Sequence, residues 1–205
     1  MSTIPGLMIY QERDAARMAA LQGRSDAEIH ARFAAGHRAY IASLDGVAAA
    51  WGWVATASAT IGELEAQFTV ASGERYLWNF VTVAAFRGRG IYPRLIAGIV
   101  EIESAEAERF WIAYAPENHA SGAGIRKAGF ELVAELSFDG AGTPVVKELM
   151  PDGGRMAAVL LGLPESRDAV ALCWKCVRAK RPNPMSCAAG ACACDYQRPE
   201  TECAA

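Results

Sequence analysis

The chain has 205 residues, of which 52% are hydrophobic, and it carries a formal net charge of −3 at pH 7. This length and apolar content predict one globular domain with a short appendage and exclude a disordered chain. The small negative charge offers no general attraction to nucleic acid, and no apolar stretch reaches the roughly 18 residues that a membrane span needs. The first residues lack the basic and apolar regions of a signal peptide, so we expect a cytoplasmic protein.

The N-terminal part of the chain predicts a strand, two helices and a hairpin. Ser25 is followed by Glu28, a spacing typical of a capping box at a helix start. Asp45-Gly46 separates two apolar runs, and this dipeptide favours a tight turn between antiparallel strands. The predicted elements are a strand at residues 7–10, helices at 14–23 and 25–36, and two hairpin strands on either side of residues 44–46.

Beyond the hairpin, aromatic and β-branched residues indicate strands, and a helical repeat of apolar residues indicates a central helix. Leu95, Ile99 and Ile102 are predicted to recur on one side of that helix. The predicted elements are a buried strand at 75–83, helices at 92–108 and 118–130, a strand between them at 109–115, and closing strands at 131–136 and 144–150.

The stretch FRGRGIYPRL, residues 86–95, places two glycines and two arginines directly before the central helix. A strand, a glycine-rich turn and a helix together aim backbone N–H groups at an anion, and the helix dipole adds positive charge there. Arg87 and Arg89 add full charges, and Pro93 suits a first helical turn. The stretch predicts a phosphate or pyrophosphate site, and the alternative is an ordinary glycine turn with solvated arginines. It has neither the Walker A pattern nor the dinucleotide-binding glycine pattern.

Two short motifs follow each other along the chain, at residues 87–92 and 118–130. Residues 87–92 match Gln/Arg-x-x-Gly-x-Gly/Ala except at Tyr92. The Tyr92 ring either lies on a cofactor, points into the pocket beside it, or packs on the first helical turn. Further along, Asn118 precedes a small residue at Ser121 and then Gly-Phe at 129–130. In this order, flanking a helix and a strand, the two motifs resemble those of the Gcn5-related N-acetyltransferase family.

The resemblance covers residues 75–132 closely and residues 5–150 loosely, by the order of the elements. It implies a mixed α/β fold of the α+β type, with helices flanking a sheet whose two middle strands splay apart. It also implies that the pantetheine arm of acetyl-CoA lies in that gap, with the pyrophosphate on the amides of residues 88–93. The implied cofactor-binding residues are Phe80, Val81, Thr82, Arg87, Gly88, Arg89, Gly90, Ile91, Tyr92, Pro93 and Asn118.

The chain departs from the family at positions that carry proton transfer. Many members place a Tyr seven residues after the Asn, and some place a Glu five residues before it, whereas this chain has Ile125 and Ala113. Neither side chain can titrate, so no catalytic role is carried over, and catalysis through water and proximity is one alternative. Substitutes within the chain are Tyr114, Ser121, Glu63 and Glu65, the two glutamates sharing a face if residues 61–68 form a strand. Each of these residues also has an ordinary structural explanation.

All six cysteines lie at or after Cys173. Cys173 and Cys176 have the two-residue gap of a zinc knuckle, and later cysteines complete a tetrahedral thiolate set. The second half of the pattern is irregular, so an iron–sulfur cluster, disulfides and reactive thiols without metal stay open as alternatives. The predicted ligands of a structural Zn²⁺ are Cys173, Cys176, Cys187, Cys192 and Cys194, with Cys203 as a spare.

The predicted domains are an acetyltransferase-like domain at 1–150, a linker helix at 151–172 and a small metal-knuckle-like tail at 173–205. The favoured function is acetyl transfer from acetyl-CoA to an amine, on either a small molecule or a macromolecule. The alternative is a catalytically weak acetyltransferase fold that works as a binding module, its tail recruiting a protein or nucleic acid. We expect no membrane partner, and the sequence does not indicate an oligomeric state.

Overall fold

The computed structural model describes residues 3–139, 143–150, 152–167 and Trp174, except for the side chain of Glu63. The strands are β1 (Leu7–Glu12), β2 (Arg38–Leu44), β3 (Val47–Ala55), β4 (Ser58–Ile61), β5 (Ala66–Thr69), β6 (Glu74–Thr82), β7 (Arg109–Ile112), β8 (Ala134–Phe138) and β9 (Pro144–Glu148). The helices are α1 (Ala15–Gln22), α2 (Asp26–Ala34), α3 (Ile91–Glu103), α4 (His119–Lys127) and α5 (Gly153–Leu161), with 3₁₀ turns at Gly62–Leu64 and Ala84–Phe86.

The described residues fall into two compact units. The first contains those within 1–59, 70–113 and 127–129, and the second contains those within 60–69, 114–126 and 130–205. In the part of the chain that the structure describes, no helix has the length and apolar character needed to cross a membrane.

The first unit is built on a five-stranded sheet with the order β1-β2-β3-β6-β7. Neighbouring strands are antiparallel from β1 to β6, and β7 runs parallel to β6. β6 pairs with β7 only from Glu74 to Leu77, although β6 itself continues to Thr82. On that side, residues 78–82 form an open strand edge within the described part of the chain. This divergence confirms the prediction of a mixed sheet whose middle strands splay apart.

Helices cover both faces of this sheet, because its central strands carry buried residues on both sides. Ile41 and Trp53 face α1 and α2 and are buried in the same cluster as Met18 of α1. Tyr40, next to Ile41 in β2, points to the opposite face, where its hydroxyl donates a hydrogen bond to Glu103 of α3.

Local signals set several element boundaries as predicted. Ser25 accepts a hydrogen bond from the backbone N–H of Glu28, and the Glu28 carboxylate accepts one from the Ser25 N–H, which confirms the capping box. Asp45 and Gly46 have φ of 50° and 82°, and together they form the tight turn between β2 and β3.

The central helix is shorter than predicted. α3 ends at Glu103 rather than at residue 108, and the next residue, Ser104, bonds its hydroxyl to the Val100 carbonyl. Such side-chain bonds compete with helical backbone bonds and favour helix ends. Ile102 was expected on the buried side but is 43% exposed, and Glu103 takes the buried position instead. The strand predicted at 109–115 also ends early, at Ile112.

The second unit contains α4, the β8–β9 hairpin and α5. β8 and β9 pair antiparallel as a two-stranded sheet, so the two closing strands form, with boundaries shifted from the predicted ones. α5 packs on this hairpin, and two glycines at its start allow a close approach. A Cβ atom on Gly154 would lie 2.4 Å from Cγ of Glu148, and one on Gly153 would lie 2.7 Å from Cβ of Val133.

A buried carboxylate connects α3 to the sheet. Glu103 accepts hydrogen bonds from Arg75 Nε at 2.6 Å, from Arg38 at 2.9 Å and from the Tyr40 hydroxyl. Burial, and then the hydrogen bond to Glu103, raises the pKa of Tyr40, so its phenol stays protonated and can donate. Glu106 pairs with the same two arginines from an exposed position.

We predict that Glu103→Ala destabilises the protein by about 3–5 kcal/mol, because Arg75 would keep a buried charge without its buried partner. Glu106→Ala is the matched control: it removes a carboxylate from the same arginines, but one that is 58% exposed, and should cost far less. Urea unfolding followed by circular dichroism measures both changes. If both substitutions lowered the free energy of unfolding equally, the buried carboxylate would have no special role.

Candidate functional site

The open edge of β6 begins at a β-bulge. Trp53 pairs with Trp78 and Trp51 pairs with Val81, so β6 carries one residue more than β3 across this interval. Within the extra stretch, Asn79 has φ of +50°, a left-handed conformation that is uncommon outside glycine. A bulge interrupts the ladder and re-aims the neighbouring side chains. Here it turns Trp78 and Val81 toward the α1–α2 face, where both pack on the core cluster.

Phe80 lies on the opposite face of the sheet, and two features hold its ring. A Cβ atom on Gly52 would lie 2.2 Å from Phe80 Cε1, so the ring occupies the space that this glycine leaves open. The ring also meets Tyr92 of α3 edge-on, with centroids 5.6 Å apart. The structure therefore brings Phe80 and Tyr92 together, two residues that the sequence assigned to the cofactor. This contact is with β6, whereas the sequence alternatives placed the Tyr92 ring on a cofactor, in the pocket beside it or on the first turn of its own helix.

The glycine loop connects the end of β6 to α3. Gly88 and Gly90 have φ of +73° and +70°, so both positions favour glycine. The Arg87 Nε donates to the Thr82 carbonyl at 3.1 Å, which ties the loop to the end of the strand. Arg89 is exposed, with its guanidinium carbon 5.5 Å from the centre of the Phe86 ring.

Gly90 is the N-cap of α3, and no side chain caps this helix start within the described residues. Pro93 is buried in the first turn and has no N–H, so among residues 88–93 the amides that can donate are those of 88–92. Arg94 donates from its side chain to the Gly90 carbonyl at 2.7 Å. Left-handed glycines ahead of a helix without a side-chain cap form the backbone geometry that binds phosphates.

In the second unit, Asn118 starts α4. Its side-chain oxygen accepts a hydrogen bond from the Ser121 backbone N–H at 3.1 Å, so Asn118 acts as a helix N-cap. Its side-chain NH₂ group takes no part in this cap and can donate a hydrogen bond elsewhere. The sequence placed Asn118 and Ser121 three residues apart in one motif, and the structure shows that they belong to one capped turn.

Tyr114 precedes this turn and packs on α4. A Cβ atom on Gly122 would lie 2.6 Å from the Tyr114 ring and 3.1 Å from its hydroxyl oxygen, so the small residue admits the phenol. Ile125, on the same helix, is only 5% exposed. It is a core residue in the position where many members of the resembled family carry a tyrosine.

The glutamate pair does not share a strand face. Residues 61–68 are broken by the 3₁₀ turn at Gly62–Leu64, and Glu65 follows it with φ of +51°. The expected alternation of Glu63 and Glu65 is therefore wrong, because a strand with a period of two requires extended backbone throughout. Glu65 is exposed.

The cysteines assigned to zinc, namely Cys173, Cys176, Cys187, Cys192 and Cys194, lie outside the described residues. Within the described residues, no group of three or more metal-binding side chains is present. Trp174 is described and is 5% exposed, with its backbone N–H donating to the Glu117 carboxylate at 3.3 Å. Sequence reasoning missed this contact, although a tryptophan in a stretch of charged residues was a usable signal.

A second group that sequence reasoning missed lies on the α1–α2 face. Arg32 of α2 lies against two indole rings, 5.0 Å from the Trp53 centroid and 4.8 Å from the Trp78 centroid. The His37 ring meets Trp78 edge-on at 5.1 Å. Burial, and then the charge of Arg32, lowers the pKa of His37, which favours the neutral imidazole. The sequence signal was Trp53 in WGW and Trp78 in WNF. Their contact with Arg32 of α2 depends on the tertiary fold.

The splayed mixed sheet with helices on both faces is the Gcn5-related N-acetyltransferase fold. Solved structures that share it include two of the aminoglycoside N-acetyltransferase AAC(6')-Iy. The complex with the bisubstrate analogue CoA-S-monomethyl-acetylneamine is 19% identical, with a TM-score of 0.50 over 65% of this chain and 96% of that chain. A complex with CoA is 20% identical, with a TM-score of 0.51 over 67% of this chain and 97% of that chain. No family model and no curated protein matches the chain.

We predict that Gly90→Val lowers the affinity for acetyl-CoA at least about tenfold, since a β-branched residue resists positive φ and its side chain would block the loop. Gly46→Val is the control, because Gly46 also has positive φ but lies in the β2–β3 turn. Isothermal titration calorimetry should show normal binding in the control. If both variants bind acetyl-CoA as the unmodified protein does, the glycine loop does not hold the cofactor.

Proposed function

We propose that this chain is an acetyl-CoA-dependent N-acetyltransferase that transfers an acetyl group to an amine. The observation that carries the proposal is the open edge of β6, residues 78–82, followed directly by the left-handed glycines at the start of α3. A pantetheine arm has amide groups that pair with an open strand edge, and a pyrophosphate accepts hydrogen bonds from a glycine-rich helix start. The AAC(6')-Iy structures of the same fold were solved with CoA or a CoA-containing analogue, which supports this choice of ligand.

In this proposal the cofactor runs back along β6. The pyrophosphate binds the amides of residues 88–92, with Arg87 and Arg89 adding charge and Pro93 fixing the first turn. The arm pairs with Thr82, Val81 and Phe80 in that order, so the thioester reaches the bulge. Asn118 remains a proposed contact of the arm through its NH₂ group.

The transfer forms a C–N bond between the amine and the thioester carbonyl carbon, and breaks the C–S bond. The amine must be neutral to attack, and as the thiolate leaves it gives up a proton to a base or to water. At the bulge, a backbone N–H of β6 is the proposed donor to the oxyanion, since a bulge interrupts the ladder there. Tyr114 is the proposed source of the proton for the thiolate, ahead of Ser121, and the exposed Glu65 is a candidate acceptor for the amine proton.

The test is the release of CoA from acetyl-CoA with a panel of primary amines, measured as free thiol. We expect turnover with at least one amine, and a drop of about tenfold or more in kcat for Tyr114→Phe if its phenol supplies the proton. Ile125→Ala is the control: it should lower thermal stability through lost packing while leaving the shape of the pH profile unchanged.

Two other outcomes would change the conclusion. Binding of acetyl-CoA without turnover of any amine would favour the alternative, a binding module with an acetyltransferase fold. The buried Ile125, in place of a titratable residue, is the observation that keeps this alternative in view. No binding of acetyl-CoA at all would refute both functions.

We also propose that the C-terminal cysteines bind one structural Zn²⁺. The support is the Cys173-x₂-Cys176 spacing followed by Cys187, Cys192 and Cys194. Protein purified under reducing conditions without added metal should contain about one zinc per chain by elemental analysis, and Cys173→Ser should lower that content. Cys203→Ser is the control that should leave it unchanged. A metal content near zero with six reactive thiols would contradict the site.

A further inference from the structure

The side chain of Arg32 is held in place by neutral groups. Its guanidinium lies against the rings of Trp53 and Trp78, within the distance at which a cation and an aromatic face attract. One of its N–H groups donates to the Gln22 side-chain oxygen at 3.2 Å, and the same oxygen accepts from the Trp53 indole at 3.3 Å. These contacts with neutral groups give a half-buried arginine a fixed orientation.

Among the described residues, no carboxylate forms an ion pair with Arg32. The nearby Glu28 binds Arg24 at 3.2 Å and the backbone N–H of Ser25. Two more hydrogen-bond donors lie near Arg32, namely the buried Gln22 NH₂ group and the Trp78 indole N–H. Within the described residues, neither has an acceptor. Those two groups are covered and cannot reach a ligand themselves. The charge of Glu28 also acts on Arg32, but burial and then the charge of Arg24 outweigh it, so that together they lower the pKa of Arg32.

Arg32 and its two tryptophans lie near the place where the thioester of the cofactor would be, an inference that rests on the proposed function. Trp78 is the first residue of β6 beyond its pairing with β7. A cofactor whose pyrophosphate binds after β6 and whose arm passes Thr82 and then Phe80 brings its thioester toward Trp78. Trp78 faces the α1–α2 side, so a molecule that reaches the thioester from that side meets Arg32.

We propose that Arg32 binds an anionic group, a phosphate or a carboxylate, on the acceptor, close to the nitrogen that is acetylated. An exposed part of a guanidinium that is already oriented can donate two parallel hydrogen bonds to such a group. The same charge disfavours a protonated amine beside it, which helps to supply the neutral nucleophile. Polycationic amines without an anionic group are poor acceptors for the same reason.

The experiment compares three small amines that differ only in the second group: ethanolamine, β-alanine and phosphoethanolamine. Binding is followed by tryptophan fluorescence, because Trp53 and Trp78 contact Arg32, with saturating CoA present to occupy the glycine loop. We expect β-alanine or phosphoethanolamine to bind at least about tenfold more tightly than ethanolamine. Arg32→Gln should abolish this preference, and Arg32→Lys should restore part of it.

Arg17→Gln is the matched control, because Arg17 also lies over a ring, that of Tyr10 at 5.9 Å, but is paired with Glu12. It should leave the preference intact. Binding of all three amines with similar affinity, or an unchanged preference in Arg32→Gln, would overturn the proposal. The affinity for acetyl-CoA, measured by calorimetry, separates the two ideas. If acetyl-CoA does not bind, the proposed function is refuted. In that case, weaker binding of the anionic amines to Arg32→Gln than to the unmodified protein would still support the anion site.

Where turnover is measurable, the same variants give a second readout. Arg32→Gln should raise KM for the anionic amine about tenfold or more with little change in kcat, since Arg32 binds the acceptor and takes no part in bond making. A fall in kcat with an unchanged KM would instead indicate a disturbed active site and would count against the proposal.

Discussion

The placement of α3 depends on one buried carboxylate. Glu103 ends the helix and binds Arg75 of β6 together with Arg38 and Tyr40 of β2, so it joins the helix to two strands at once. The other end of α3, about 18 Å away for thirteen residues, carries Gly90 and the glycine loop. Because α3 is fixed to the sheet at its C-terminus, its N-terminal amides have a defined position relative to the end of β6. A buried charge is costly unless it is fully paired, and Glu103 is paired here with two arginines and a phenol.

A second constraint is the way β6 changes partners along its length. Tyr76 and Leu77 pair with both β3 and β7, whereas within the described part of the chain residues 78–82 pair only with β3. The bulge at Asn79 lies at that change, and it distributes side chains to the two faces. Phe80 goes to the α3 face with Tyr92, while Trp78 goes to the α1–α2 face with Arg32. Within the described residues, one strand thereby has an open edge at 78–82 and packs different side chains on each face.

The residues proposed for acetyl transfer include few titratable groups, and this shapes the proposed chemistry. Ile125 is packed in the core, and Asn118 is used as a helix cap through its oxygen. With so little acid–base machinery, most of the rate would come from holding the amine against the thioester, an effect that can supply several kcal/mol. Arg32 fits this picture, because a site that relies on positioning needs a strong contact with the acceptor. A charge-assisted bond to an anionic group is such a contact.

The sequence alone determined what depends on neighbours along the chain. Ser25 and Glu28 predict a cap, Asp45-Gly46 predicts a turn, and the glycines at 88 and 90 predict a glycine-rich turn before a helix, because each signal lies within a few residues. It could not predict the bulge at Asn79, the burial of Glu103 in place of Ile102, or the contact of Arg32 with two tryptophans. Those features depend on which strand lies beside β6 and on which helix covers each face. Such pairings join residues far apart in the chain, and only tertiary packing decides them, because burial and charge pairing are energies of the assembled fold.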